Sequence, residues 1–249
     1  MITAFLKRRW WLTQNRILSS ITLALVVPVI LYISIVSVMN NVIRRSIDGI
    51  PYEHWVFPGL VMIIAIIGLF PLLYRDFFDL RIHRRILQPI TLTPISKVEI
   101  VAGIVITAII ESITYVVIGI AVLSILISTS FTLLDYIIII FYLILFNGVM
   151  ANAFVSVGLL TDRVTTYMFI ILGFIIFIMF GSGILVELEF YPSLMSNFFS
   201  NLPTSVLMRG LRSGLFFNRF DWVSVVYPLI VTAVWFGINS IIFKIKSKQ

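Results

Sequence analysis

Charged residues in this chain gather at the ends of its apolar runs and leave their middles almost empty. The runs are Ile17–Met39, Val56–Tyr74, Ile100–Leu126, Tyr136–Leu160, Val164–Val186 and Val223–Phe243. Each is long enough to cross a hydrocarbon core of ~30 Å at about 1.5 Å per residue. Backbone in lipid must satisfy its own hydrogen bonds, so all six are predicted to be helices. The expected fold class is an all-α integral membrane protein with six transmembrane helices. No connection is long enough for a separate soluble domain, so residues 1–249 are read as one unit.

Three shorter segments add to this plan. Residues 1–16 can place Ile2, Phe5, Leu6 and Trp10 on one face, with Lys7 and Arg8 opposite and Trp11 at headgroup depth. That pattern predicts an interfacial helix; the alternative is a basic flank that merely orients the first span. The stretch Arg75-Asp76-Phe77-Phe78-Asp79-Leu80-Arg81-Ile82-His83-Arg84-Arg85-Ile86 spaces Phe78, Ile82 and Ile86 as an apolar helical stripe. It predicts a short helix along the membrane surface, broken by Pro89 and Pro94. Such a helix suits docking of a soluble partner or contact with anionic lipid. Ser96-Lys97-Val98-Glu99 reads as a capping box opening the third span. Residues 187–222 are long yet carry Phe198, Phe199, Leu202, Val206, Leu207 and Leu211, costly in a free aqueous loop. Short helices broken at Pro203 are expected, which dip back into the outer leaflet or cap the bundle before the last span.

Composition agrees. The chain is 60% hydrophobic and 12% charged with a mean hydropathy of +1.11, outside the range of soluble domains. It has no cysteine, which excludes disulfides and thiolate metal sites, and only two histidines, His54 and His83. Charge decides orientation rather than partner. With the amino terminus inside, Lys7, Arg8, Arg9, Arg16, Arg75, Arg81, Arg84, Arg85, Lys97, Arg163, Lys244, Lys246 and Lys248 fall on the cytoplasmic side. Arg44, Arg45, Arg209, Arg212 and Arg219 fall outside, so 13 of the 18 basic residues obey the positive-inside rule. Both termini are then cytoplasmic, and nucleic-acid binding is a poor account of the +7 charge.

The order of these features resembles the permease subunits of ABC-2 type transporters. Phe57-Pro58-Gly59-Leu60 is similar to that family's Pro-Gly-Leu element, and Leu92-Thr93-Pro94-Ile95-Ser96 to its Thr-Pro-Leu-Ser signature. Leu202-Pro203 and Leu211-Arg212 resemble its Asn-Pro…Leu-Arg segment. Leu87-Gln88 departs from the family's Leu-Glu pair. The resemblance implies an interfacial amino-terminal helix (1–16), a cytoplasmic coupling-helix region (75–95) and a re-entrant segment (187–222). It implies partners too: an ABC ATPase dimer holding ATP and Mg, a second permease copy or a homologous permease, and membrane lipid. The expected function is outward movement of a hydrophobic, amphipathic or lipid-linked substrate across a prokaryotic plasma membrane. Phe78, Arg81, Ile82, Arg84 and Arg85 are the expected ATPase-coupling residues. A stand-alone secondary transporter of a small solute is the alternative, and it requires buried ion-coupling charges and internal repeats.

Catalytic chemistry is not expected of this chain. None of its lysines follows a glycine, so it has no Gly-x-x-x-x-Gly-Lys phosphate loop. Ser182 in Gly181-Ser182-Gly183 lies in an apolar run with no histidine in any run to serve as its base. Glu111 is the charge deepest in a span and must face protein or water. Ser112, Thr114, Tyr115, Asn147 and Asn152 are its expected partners. Glu111, Asn147 and Arg212 are candidates for a polar point on a translocation path or a permease interface. The competing roles are a hydrogen-bonded packing acid for Glu111 and carbonyl capping for Arg212.

Overall fold

The computed structural model describes residues 2–14, 17–43, 45–83, 96–129 and 131–246. Helix α1 (Ile2–Gln14) precedes α2 (Ile17–Leu31), which continues through a π-helical turn, Tyr32–Val36, to Met39. Helix α3 (Tyr52–Leu73) runs on through π-helical Tyr74–Asp79 to Ile82. Then come α4 (Lys97–Ile127), α5 (Leu133–Leu160), α6 (Val164–Gly181), α7 (Ser193–Ser200), α8 (Pro203–Phe217) and α9 (Val223–Lys246). Six of these helices are long and apolar enough to cross a membrane, so this is a multi-pass helical membrane protein.

The second span is the axis of the bundle. In its most apolar window 83% of residues are buried, against 61% in the fourth span and 22–28% in the other four. It packs between α4 and α5, with α9 closing over α5. Small and polar residues let the helices approach. Ser112 donates to the Ala65 carbonyl at 3.1 Å across α3 and α4. Asn239 of α9 donates to the Asn152 carbonyl and side-chain oxygen at 3.0 and 3.1 Å. Ser156 donates to Asn239 Oδ1 and accepts from Trp235, both at 2.7 Å. Interhelical bonds of this kind contribute about 0.6 kcal/mol each in membrane proteins.

The helix ends differ from expectation in two places. The second span starts at Tyr52 and extends to Ile82, eight residues beyond the expected Tyr74 (82 − 74). The described part of the expected surface helix is thus the end of the span itself. Its stripe faces protein: Phe78 is fully buried, ring centroids 5.4 Å from Tyr74 and 5.0 Å from Tyr167. The fifth span ends at Gly181 rather than Val186 because the chain turns sharply at Gly183, whose φ of +68° favours glycine.

Other expectations are met. Ser96 Oγ accepts from the Glu99 N–H at 3.2 Å at the start of α4. Thr132 and Asp135 form a reciprocal capping box on α5 that sequence reading overlooked. Residues 188–217 form a 3₁₀ turn and two helices, with Pro203 in the first turn of the second. Helix α8 packs on α5, α9 and α3 and buries Val206, Leu207, Met208 and Leu211.

Candidate functional site

A buried charge network joins α1 to the second and third spans. Arg9 is only 5% exposed. Its Nε donates to Thr107 Oγ1 at 3.0 Å and its Nη1 to Glu111 Oε2 at 2.7 Å, while Nη2 bonds Asp76 Oδ2. Asp76, itself 2% exposed, also meets Arg75 Nε at 3.2 Å and Arg8 at 3.8 Å. One guanidinium therefore bridges two acids from different spans. Charges taken out of water persist only when paired and hydrogen-bonded, and this geometry supplies both.

The arrangement adds a buried arginine to two of the sequence expectations. The Glu111 carboxylate pairs with Arg9, which the sequence did not suggest, while of its expected partners the Thr114 hydroxyl donates to the Glu111 backbone carbonyl at 2.6 Å. The inward face of α1 is built on Phe5, Arg8 and Arg9, while Trp10 and Trp11 are each 65% exposed. Arg9 and Asp76 stand among charges beside apolar runs and so read as solvent residues in the sequence, although both are buried.

The expected coupling residues separate. Ile82 is half-buried, packed on the core. Arg81 Nη2 donates to the Gly158 carbonyl at 3.1 Å and to that of Thr161, and pairs with Asp162 at 2.9 Å. It caps the carboxyl end of α5, where carbonyls lack intrahelical donors and a cation is favoured. Phe78 and Arg81 thus hold the α3 end against the bundle, and His83 beyond them is exposed. Arg84, Arg85, Leu87, Gln88, Pro89 and the Leu92–Ile95 element lie outside the described residues.

Asn147 is fully buried, and neither side-chain amide atom has a hydrogen-bond partner among the described residues. It does not meet Glu111. Asn152 instead belongs to the α5–α9 pairs described above.

Arg212 performs carbonyl capping. Its guanidinium donates to the carbonyls of Trp55 (3.3 Å), Gly183 (2.5 Å) and Ile184 (3.1 Å), and its central carbon lies 3.4 Å from the Trp55 ring centroid. It ties the turn after α6 to the head of α3. A side chain at Gly59 would meet the Ile184 carbonyl at 2.5 Å, so the Pro58-Gly59 element permits this backbone approach. Burial pulls the Arg212 guanidinium below its usual range, with Glu187 working against that shift. Glu187 accepts from the Ile47 N–H with both oxygens at 3.1 Å, and burial pushes its carboxyl up. Arg212, Trp55 and Glu187 line a cavity of about 310 Å³ with Asp48, Glu189 and Arg209. Ser182 Oγ, suspected of nucleophilic use only to be set aside, lies 2.6 Å from Thr204 Oγ1 at its edge. No group of three or more His, Asp or Glu suited to a metal occurs among the described residues.

No family model, curated protein or solved structure matches the chain.

Proposed function

We propose that this chain is the permease subunit of an ATP-driven exporter of the ABC-2 type. It would move a hydrophobic, amphipathic or lipid-linked substrate outward across a prokaryotic plasma membrane, with both termini cytoplasmic. The observation that carries the reading is the helix pair Ser193–Ser200 and Pro203–Phe217, inserted between the fifth and sixth spans, its second member packed on three spans. The amino-terminal helix clamped by Arg9 and the motifs read from the sequence support it. Phosphoryl transfer belongs to a partner ATPase with its ATP and Mg, and this chain contributes no catalytic residue. Because Phe78 and Arg81 are engaged internally, exposed His83 is the described residue at which docking would begin; Arg84 and Arg85, also expected to couple, lie outside the described residues. A conformational change in the ATPase would push on the α3 end, which the Arg81–α5 cap and the Arg9 network couple to three other helices, α1, α4 and α5.

Affinity purification of the tagged chain from its native membrane, with mass spectrometry, tests this. A stoichiometric ABC ATPase is expected, and repeated recovery of the chain alone under mild detergent refutes it.

One observation favours a second reading, the stand-alone secondary transporter. Two acids, Asp76 and Glu111, are brought together inside the protein, where the sequence had offered only one. Uptake driven by an ion gradient into liposomes containing the chain alone would support that reading over the first.

A further inference from the structure

The outer ends of α5 and α8 enclose a second cavity, about 460 Å³, in a size range typical of small-ligand sites. Leu134, Ile137, Ile138 and Phe141 form one wall over two turns of α5, and Gly214 leaves the opposite wall low. The lining is mostly carbon, and the Tyr142 hydroxyl in it is already hydrogen-bonded to Ser224 Oγ at 2.8 Å. Leu134, Ile137 and Phe141 are exposed on the outside of the bundle, on a helix long and apolar enough to cross a membrane. An apolar chain lying along α5 fits this slot.

The rim is different. Arg219 lines the cavity where α8 ends in left-handed Asn218. Its backbone is fixed in both directions: its N–H donates to the Ser213 carbonyl and its C=O accepts from Ser213 Oγ, each at 3.1 Å. Among the described residues no carboxylate lies within ion-pair distance of its guanidinium. Exposed Phe220 and Trp222, in edge contact at 5.0 Å, follow immediately before α9. Exposed aromatics at the end of a span mark headgroup depth. An exposed guanidinium on a fixed backbone, with no carboxylate near it among the described residues and an apolar slot beside it, matches a phosphate above an acyl chain.

We propose that this groove holds one anionic phospholipid, its phosphate on Arg219 and one acyl chain along Ile137, Ile138 and Phe141. The site is independent of the transport reading. It also gives a reason for an arginine on the side where the charge bias makes arginines scarce: Arg212 serves the protein interior, and Arg219 serves lipid.

The test uses the full-length chain, purified after exposure to equimolar phosphatidylglycerol and phosphatidylcholine, with retained lipid counted by native mass spectrometry. One basic residue at a membrane surface contributes about 1 kcal/mol, so about fivefold retention of phosphatidylglycerol over phosphatidylcholine is expected. Arg219→Gln should bring that ratio to about one, and Gly214→Leu should empty the slot of both lipids. Arg209→Gln, in the other cavity, should leave the ratio unchanged and so excludes a general effect of lost charge. Equal retention by the wild-type chain overturns the proposal, as does an unchanged ratio in Arg219→Gln. A dimer that Gly214→Leu dissolves also overturns it, because a second copy would then fill the groove.

Discussion

Replacing Arg9 by methionine should destabilise the protein by about 3 kcal/mol, although the residue lies in a short helix at the edge of the bundle. Removing one member of a buried ion pair typically costs about 3–5 kcal/mol, because the remaining charge stays buried without its partner. Here the lower figure applies. Asp76 keeps Arg75 at 3.2 Å and Arg8 at 3.8 Å, and the Glu111 side chain is 13% exposed rather than fully enclosed. Arg8→Met is the control: its side chain is 37% exposed and 3.8 Å from Asp76, so it should cost about 0–1 kcal/mol. The stability of each variant would be measured by reversible SDS unfolding of the purified chain in mixed micelles. The double variant Arg9→Met/Glu111→Met should recover about 1 kcal/mol relative to Arg9→Met, since the buried carboxylate that had faced the lost guanidinium is gone. Two results would refute the reasoning: an Arg9→Met variant within about 0.5 kcal/mol of wild type, or a double variant no better than the sum of its parts. Either would mean that the network forms without holding α1 in place.

Arg81→Met should cost about 1–3 kcal/mol by uncapping α5, measured in the same unfolding assay, with no partner protein present. Unchanged stability would free Arg81 for a role in docking instead. Gly210→Ala should lose about 1–3 kcal/mol, because its new carbon would fall 2.0 Å from Ser224 Oγ and 2.2 Å from its Cβ. Gly237→Ala, which meets nothing within 4 Å, should be neutral or stabilising in a thermal-unfolding comparison of the two. The raised Glu187 carboxyl makes the folded state bind protons more readily than the unfolded one. Its contribution to stability should therefore grow as pH falls through that raised value, then level off below the ordinary 4.5. Melting temperatures of wild type and Glu187→Gln, compared from neutral pH downward, should show wild type gaining on the variant; a gap that stays constant or widens against wild type rejects this.

The six spans, the Ser96 cap on α4 and the break at Pro203 were legible in the sequence, because each depends on residues within a turn or two of one another. Hydropathy over about twenty positions decides whether a helix can cross lipid, whatever its neighbours are. The charges were not legible in that way. Arg9 lies 67 residues from Asp76 and 102 from Glu111, and near the end of an apolar run a basic residue reads alike whether water, lipid or a carboxylate awaits it. Phe78 and Arg81 look like a docking face in one dimension, and only the packing of α3 against α5 and α6 turns them inward. Local sequence determined which segments are helices and where they begin. Which faces meet depended on how the helices cross, and that selected the partners of Arg9, Arg81 and Arg212 and left Arg219 without one among the described residues.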